Sequence, residues 1–429
     1  MKQKLPSIFI LAAVLLFALF ARAQEILQSK DIYVDIDLHP AATVMAAPAS
    51  WSLVEKIQEG KSLLSHTPPL LFEKEIIKTK TRQGKIITKE GDLARRQLEL
   101  AILDTYTSAV FSARYWLDEK EIEEANTIRK LYLYNVNNIP RFQPVEASQF
   151  NVKVNWWNYY NSDLDVAAKN GDYSRYIVLA NKFLLKNDSL VYPEDKKGKE
   201  YSEIIYVPYS PDLHTKELVE AGKKFLDNHV AEAFERLRNK GVKSRTYSSQ
   251  SVTDTMTPAF VKNIFTTEQT DPKLILASSD GGQALAERVL IRLGANGEKA
   301  FRYTFSKTGA LGLGQIMPRT YASIVKGYPP AGLIKDKDIG RVDIVNSIMA
   351  SVLVLDDHLS TVASKAKRNT SHYQIFSSKS SLQIEEIRAA IYNGGPGKYI
   401  AATGEISQKV RETVDFVKKF KMIRGLGLY

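Results

Sequence analysis

The sequence predicts a mainly α protein, and three stretches of helical periodicity carry that prediction. Leu98, Ile102, Tyr106 and Val110 recur at steps of four, Leu226, Val230, Ala233 and Leu237 form a second stripe, and Phe260, Val261, Ile264 and Phe265 form a third. Such spacings put apolar side chains on one face of a 3.6-residue helix. With 429 residues, 44% of them hydrophobic and 25% charged, the chain has the composition of an ordinary globular protein of two or three domains.

The elements follow in chain order. Lys2 and Lys4 precede an apolar run from Ile8 to Phe20, and Ala21-Arg22-Ala23 supplies a small-x-small cleavage site before Gln24. Residues 1–23 therefore read as a signal peptide, which places the mature chain in the periplasm or on the cell-wall face of the membrane. An uncleaved anchor is the alternative, although the run is short for a full span. Glu25 to about Pro48 alternates weakly through Ile32-Tyr-Val-Asp-Ile-Asp-Leu38 and reads as a strand or extended arm leading into an Ala/Pro-rich linker. A helix is expected from Asp92, as its N-cap, to about Tyr134, and another from about Thr215 to Lys240, ended by Gly241. Between them, Val152 to Tyr160 clusters aromatic rings that fit a core better than a sugar platform. Polar residues from Lys243 to Thr255 suggest a linker, which divides the chain into a helical N-terminal region (24–250) and a C-terminal domain (251–429).

Several chemistries are excluded. There is no cysteine, so disulfides and thiolate ligands or nucleophiles are absent. The six histidines are scattered without the i, i+4 pairing of a zinc helix, no Gly-x-Ser-x-Gly elbow occurs, and the glycines from 309 to 314 lack a phosphate-loop ending. Neither metal nor cofactor is expected. The formal charge is +11, of which Lys2, Lys4 and Arg22 carry three; it favours anionic surroundings such as cell-wall polymers, and nucleic acid is not expected for an exported chain.

Carboxylates remain as the reactive groups. Thr257-Pro258 is a cap followed by a first-turn proline, and Glu268 falls four residues after Ile264 and eight after Phe260. Its carboxylate thus projects from the apolar face near the helix end, since Asp271-Pro272 disfavours continuation. An acid held there loses hydration and stays protonated nearer neutrality, as a glycosidic general acid requires.

The stretch Thr308-Gly-Ala-Leu-Gly-Leu-Gly-Gln-Ile-Met-Pro318 resembles the Gly-Ala-x-Gly-Leu-Met-Gln-x-Met-Pro signature of soluble-lytic-transglycosylase-like (SLT) domains. Further blocks agree in order: Asp343-Ile-Val-Asn346 opens an apolar helix to Leu359, Ala389 to Lys398 resembles Ala-Tyr-Asn-Ala-Gly-Pro-Gly, and Arg411 to Val417 resembles Glu-Thr-x-x-Tyr-Val. This resemblance covers Thr257 to about Phe420. It implies a lysozyme-like catalytic domain at the C-terminus, with the family's catalytic Glu at a helix end; Glu268-Gln-Thr-Asp-Pro272 resembles that motif. Two departures stand out: Gln269 replaces Ser, and an insertion with its own helix, Gln283 to Leu293, separates Glu268 from Gly309. Glu298 lies nearer the usual spacing and is the rival acid, whereas Glu287 reads as a solvated charge.

The same resemblance assigns Gln315 to a sugar or its N-acetyl group, Gly309 and Ala310 to the cleft wall, Met317 beneath it, Tyr392 to orienting the acid, and Asn393 to the substrate side; the residues alone equally allow Gln315 as a backbone brace, Tyr392 as core and Asn393 as the helix cap. Glu412 reads as structural. The implied activity is a peptidoglycan lytic transglycosylase cutting the MurNAc-GlcNAc β-1,4 bond with one Glu and leaving 1,6-anhydro-MurNAc. A hydrolytic muramidase and an inactive glycan-binding or scaffold module are the alternatives. Peptidoglycan strands are the expected partner, with an envelope or secretion partner for the N-terminal region.

Overall fold

The computed structural model describes residues 51–132, 143–144, 150–168, 175–187 and 198–429, and elements are numbered within these. The expected signal and the arm over 25–48 lie outside them. Helix takes up about 51% of the structure and strand 21%, so the fold is mixed α and β rather than mainly α.

The correction falls on the N-terminal region, which is built on a sheet as well as on helices. Helix α1 (Leu53–His66) leads into β1 (Phe72–Lys80), β2 (Ile86–Asp104) and β3 (Val110–Asp118), followed by α2 (Glu119–Tyr132). After β4 (Gln143–Pro144), β5 (Phe150–Trp156) and β6 (Asp163–Ala168), β7 (Tyr176–Lys186) and β8 (Tyr201–Tyr206) complete a five-stranded sheet in which β2 pairs with β1, β3 and β7, all antiparallel. Asp92, expected to cap a helix, lies inside β2. A step of four is also twice the strand period of two, so Leu98 and Ile102 share a strand face as readily as a helix face. Leu98, Leu100 and Ile102 enter one core cluster while Ala101 and Leu103 enter the other, so this half of β2 is covered on both sides. The aromatic stretch from 152 is strand β5 and the turn after it; Trp157 is buried in the core.

Downstream, the expected helices form. Thr215 caps α3 (Lys216–Asn239) by accepting from Leu218 N, and Gly241 leaves it at φ 62°. The helical lobe contains α4 (Pro258–Glu268), α5 (Pro272–Ala277), α6 (Gln283–Asn296), α7 (Pro318–Gly327), α8 (Lys337–Gly340), α9 (Ile344–Ala366), α10 (Thr370–Ser377), α11 (Ser381–Gly394) and α12 (Arg411–Gly425), with a two-stranded ribbon, β9 (Tyr399–Ile400) and β10 (Glu405–Ile406). Helix α9 is buried continuously from Ile344 to Asp356 and forms the lobe's axis. Helices α3 and α6 touch backbone to backbone, since a Cβ on Gly222 would stand 1.9 Å from the Leu290 carbonyl oxygen.

One core cluster runs from Leu53 in α1 through α3 to Phe420 in α12, and so contains residues from both sides of Gln250. The polar stretch after Lys243 is ordered against α9: Asp356, fully buried, accepts from Ser244 Oγ (2.5 Å), Arg245 N (2.7 Å) and Tyr328 Oη (2.8 Å). On the other face of the sheet, the second cluster joins Tyr160 and Tyr206 to Tyr303, Leu311 and Val342 of the helical lobe, with Tyr160 and Tyr303 stacked at 5.5 Å.

Candidate active site

Helix α4 begins where the sequence places it. Thr257 Oγ1 accepts from Phe260 N, Pro258 follows, and Phe260, Val261, Ile264 and Phe265 are buried. Helix α4 ends at Glu268, and Asp271 caps the next helix. Glu268 is half-buried at a helix C-terminus, where the backbone carbonyls disfavour a negative charge.

The Gly-rich loop is held from three directions. Gln269 Nε2 donates to the carbonyls of Gly312 (3.1 Å) and Leu313 (2.8 Å), so the residue after Glu268 clamps the loop to the end of α4. Arg341, buried, donates through Nη1 to the carbonyls of Gly309 (2.6 Å) and Ile316 (2.9 Å). Tyr392 Oη donates to the Gly314 carbonyl at 2.6 Å and lies 3.0 Å from Ser351 Oγ. Small residues are required here for space: a Cβ on Gly314 would stand 2.4 Å from Ser351 Oγ, and one on Gly312 would stand 2.2 Å from the Arg341 carbonyl oxygen at a φ of +74°.

Tyr392 lies close enough to Glu268 to feel its charge. Burial first, and then the charge of Glu268, push the Tyr392 phenol far above its ordinary range, so it stays protonated and serves as a donor. Glu298 stands apart: it is exposed on a 3₁₀ turn (Gly297–Lys299), and no contact among the described residues joins it to Tyr392 or to the loop. Glu287 is not a free solvated charge, because it pairs with His214 Nε2 at 2.8 Å.

The other expected site residues take these places. Gln315 adopts φ 46° and turns its Nε2 back to the Gly312 carbonyl at 2.8 Å, which makes that end of the amide a brace; its Oε1 accepts no hydrogen bond among the described residues. Ala310 is buried and Gly309 lies at φ +90° beside Pro318. Met317 is 38% exposed, with its sulfur 3.9 Å from Thr308 Oγ1, and Phe305, 48% exposed, lies on the same loop. Asn393 sits in the last turn of α11 and accepts from Thr413 Oγ1 (3.2 Å), while Gly395 is the helix cap. Glu412 occupies the first turn of α12.

Comparison with known proteins returns nothing: no family model, no curated protein and no solved structure matches this chain. The chemistry of the site is therefore read from its own groups.

Sequence reasoning missed Gln269, Ser351 and Arg341. Gln269 stands out in the sequence only as a departure from a pattern, and a sequence separation of 43 to 44 from its partners leaves no local signal. Among the described residues no group of three or more His, Asp or Glu side chains could hold a metal, and no helix is long and apolar enough to cross a membrane. The site thus combines a half-buried carboxyl, a phenol fixed on the Gly314 carbonyl and a loop with its backbone drawn close.

Proposed function

We propose that the chain is a peptidoglycan lytic transglycosylase, with a lysozyme-like arrangement in its helical lobe and Glu268 as its single acid and base. The observation that carries this reading is the convergence at Glu268: the acid ends an apolar helix, its neighbour Gln269 holds the Gly-rich loop, and Tyr392, tied to the same loop, lies within reach of its charge. Gln269, the carbonyls of Gly312 to Gly314 and Tyr392, from three separated blocks of sequence, are thus linked by hydrogen bonds one residue along the chain from Glu268.

Glu268, protonated, donates its proton to the O4 leaving oxygen as the C1–O4 bond breaks. The resulting carboxylate takes the proton of the muramic 6-hydroxyl, and O6 bonds to C1 to give the 1,6-anhydro ring. Water is not consumed, so the second carboxylate of an ordinary hydrolytic scheme is not needed. Fixed in place by Gly314, the Tyr392 hydroxyl sets the polarity beside Glu268, and Gln315 Oε1 offers an acceptor toward the acetamido N–H. The N-terminal region would then position the glycan or an envelope or secretion partner, on the outer side of the membrane.

The test is digestion of purified cell wall with the products read by mass spectrometry. Anhydro-muropeptides are expected. Reducing ends would instead mean a muramidase, and binding without cleavage would mean a scaffold module. Glu268→Gln should slow cleavage on the order of 10²–10⁴-fold while Glu298→Gln leaves it unchanged; full activity in Glu268→Gln sinks the assignment.

A further inference from the structure

The hairpin made by β1 and the first half of β2 leaves the body of the sheet with neither face covered. From Glu75 to Glu90 every residue except Thr81 is exposed. Such a ribbon reaches about 20 Å beyond the packed part of the sheet, at roughly 3.3 Å per residue. Its turn is tight, with Gly84 N donating to the Thr81 carbonyl, Thr81 N donating to the Lys85 carbonyl, and Gly84 at φ +80°.

Two properties of this hairpin are unusual for a solvated ribbon. Four isoleucines face water, Ile76 at 69%, Ile77 at 48%, Ile86 at 64% and Ile87 at 39% exposure. The register pairs Thr79 with Ile87 and Lys80 with Ile86, so Ile77 and Ile87 lie on one face and Ile76 and Ile86 on the other. Charge is equally one-sided: between Ile76 and Lys89 stand Lys78, Lys80, Arg82, Lys85 and Lys89, with no acid among them. Acids return only at the base, where Glu73 pairs with Arg95 and Glu90 with Lys74.

We propose that this hairpin is an interfacial anchor for an anionic lipid surface. The turn and its isoleucines enter the headgroup region, and the lysines and Arg82 meet lipid phosphates. A groove on a protein would cover one face of the ribbon and leave two isoleucines wet, whereas a bilayer interface surrounds both faces. A second copy of the chain pairing along the free edge of β1 would set Lys78 and Lys80 against like charges. A soluble polyanion would satisfy the cations and leave all four isoleucines in water. Apolar burial combined with attraction to anionic lipid is the combination that holds a peripheral protein.

Because the chain has no cysteine, Gln83→Cys in the full-length protein takes a single environment-sensitive fluorophore at the turn. Vesicles of phosphatidylglycerol with phosphatidylcholine should shift its emission to the blue, and pure phosphatidylcholine should not. Adding Lys80→Gln with Lys85→Gln should weaken the response on the order of 30-fold, at roughly fivefold per cation removed. Adding Ile86→Ser with Ile87→Ser should abolish the blue shift. These positions are exposed, so far-UV circular dichroism should stay unchanged in every variant. No shift with anionic vesicles overturns the proposal, as does a shift that both double variants retain. An equal response to heparin that survives the isoleucine changes would assign the hairpin to an anionic polymer and equally overturn it.

Discussion

Replacing Gly312 by Ala probes how closely the Gly-rich loop is fitted, and Gly309→Ala supplies its control. Both glycines have left-handed backbone, φ +74° and +90°, so both substitutions incur about 1–2 kcal/mol of strain. Both also reduce the entropy of the unfolded chain, which offsets about 0.4–1 kcal/mol. They differ in space. A Cβ at 309 meets nothing closer than Pro318 Cγ at 3.7 Å, whereas one at 312 would lie 2.2 Å from the Arg341 carbonyl oxygen, a backbone atom held by α8 and the cap of α9. Overpacking of that kind adds about 1–3 kcal/mol. Gly312→Ala should therefore cost about 3 kcal/mol in total and Gly309→Ala about 1 kcal/mol. Urea unfolding followed by circular dichroism at the helical band reads the difference: about 2 kcal/mol with a slope near 3 kcal/mol/M separates the midpoints by about 0.7 M. Coincident midpoints would mean that the loop relaxes away from Arg341, and the fitted-loop account would be wrong.

Other outcomes follow from the same contacts. Tyr392→Phe removes the hydrogen bond to Gly314 and should lower stability by about 1 kcal/mol, measured by the same urea series, while slowing cell-wall digestion by a larger factor than that loss accounts for. Gln269→Ala strips the Leu313 carbonyl of its Nε2 donor and should cost about 1–3 kcal/mol; an unchanged midpoint would show that water replaces the clamp. His358 donates from Nδ1 to the Ile391 carbonyl (2.8 Å), and burial holds its pKa below the ordinary histidine value. The unfolded chain therefore binds a proton more readily there, so stability should fall as pH drops below about 6.5, and His358→Gln should flatten that slope in unfolding curves taken between pH 7 and 5.

Much of the helical lobe was legible because its signals are local. Thr215, Thr257, Asp343 and Ser380 each cap the helix that follows, and the apolar positions behind Thr257 are the buried ones. The first half misled for an equally physical reason. Spacing of four between Leu98 and Ile102 satisfies helix and strand alike, and the choice was made by β3 and β7 pairing along the two edges of β2. Of the candidate site, the Gly-rich loop, Tyr392 and Glu268 could be named in advance, but their mutual placement could not. Glu268 and Glu298 differ in ways that no local pattern shows: the charge of one bears on the Tyr392 phenol, and the other stands exposed on its turn.

By itself, then, the sequence determined which residues cap and line the helices of the C-terminal lobe, since backbone capping and apolar period act within a handful of residues. Tertiary structure alone decided that β1, β2, β3, β7 and β8 join in one sheet, that Gln269 and Arg341 brace the Gly-rich loop, and that the charge of Glu268 bears on the Tyr392 phenol. Those outcomes rest on contacts between residues that are distant in the chain, whose free energy exists only after the elements have packed.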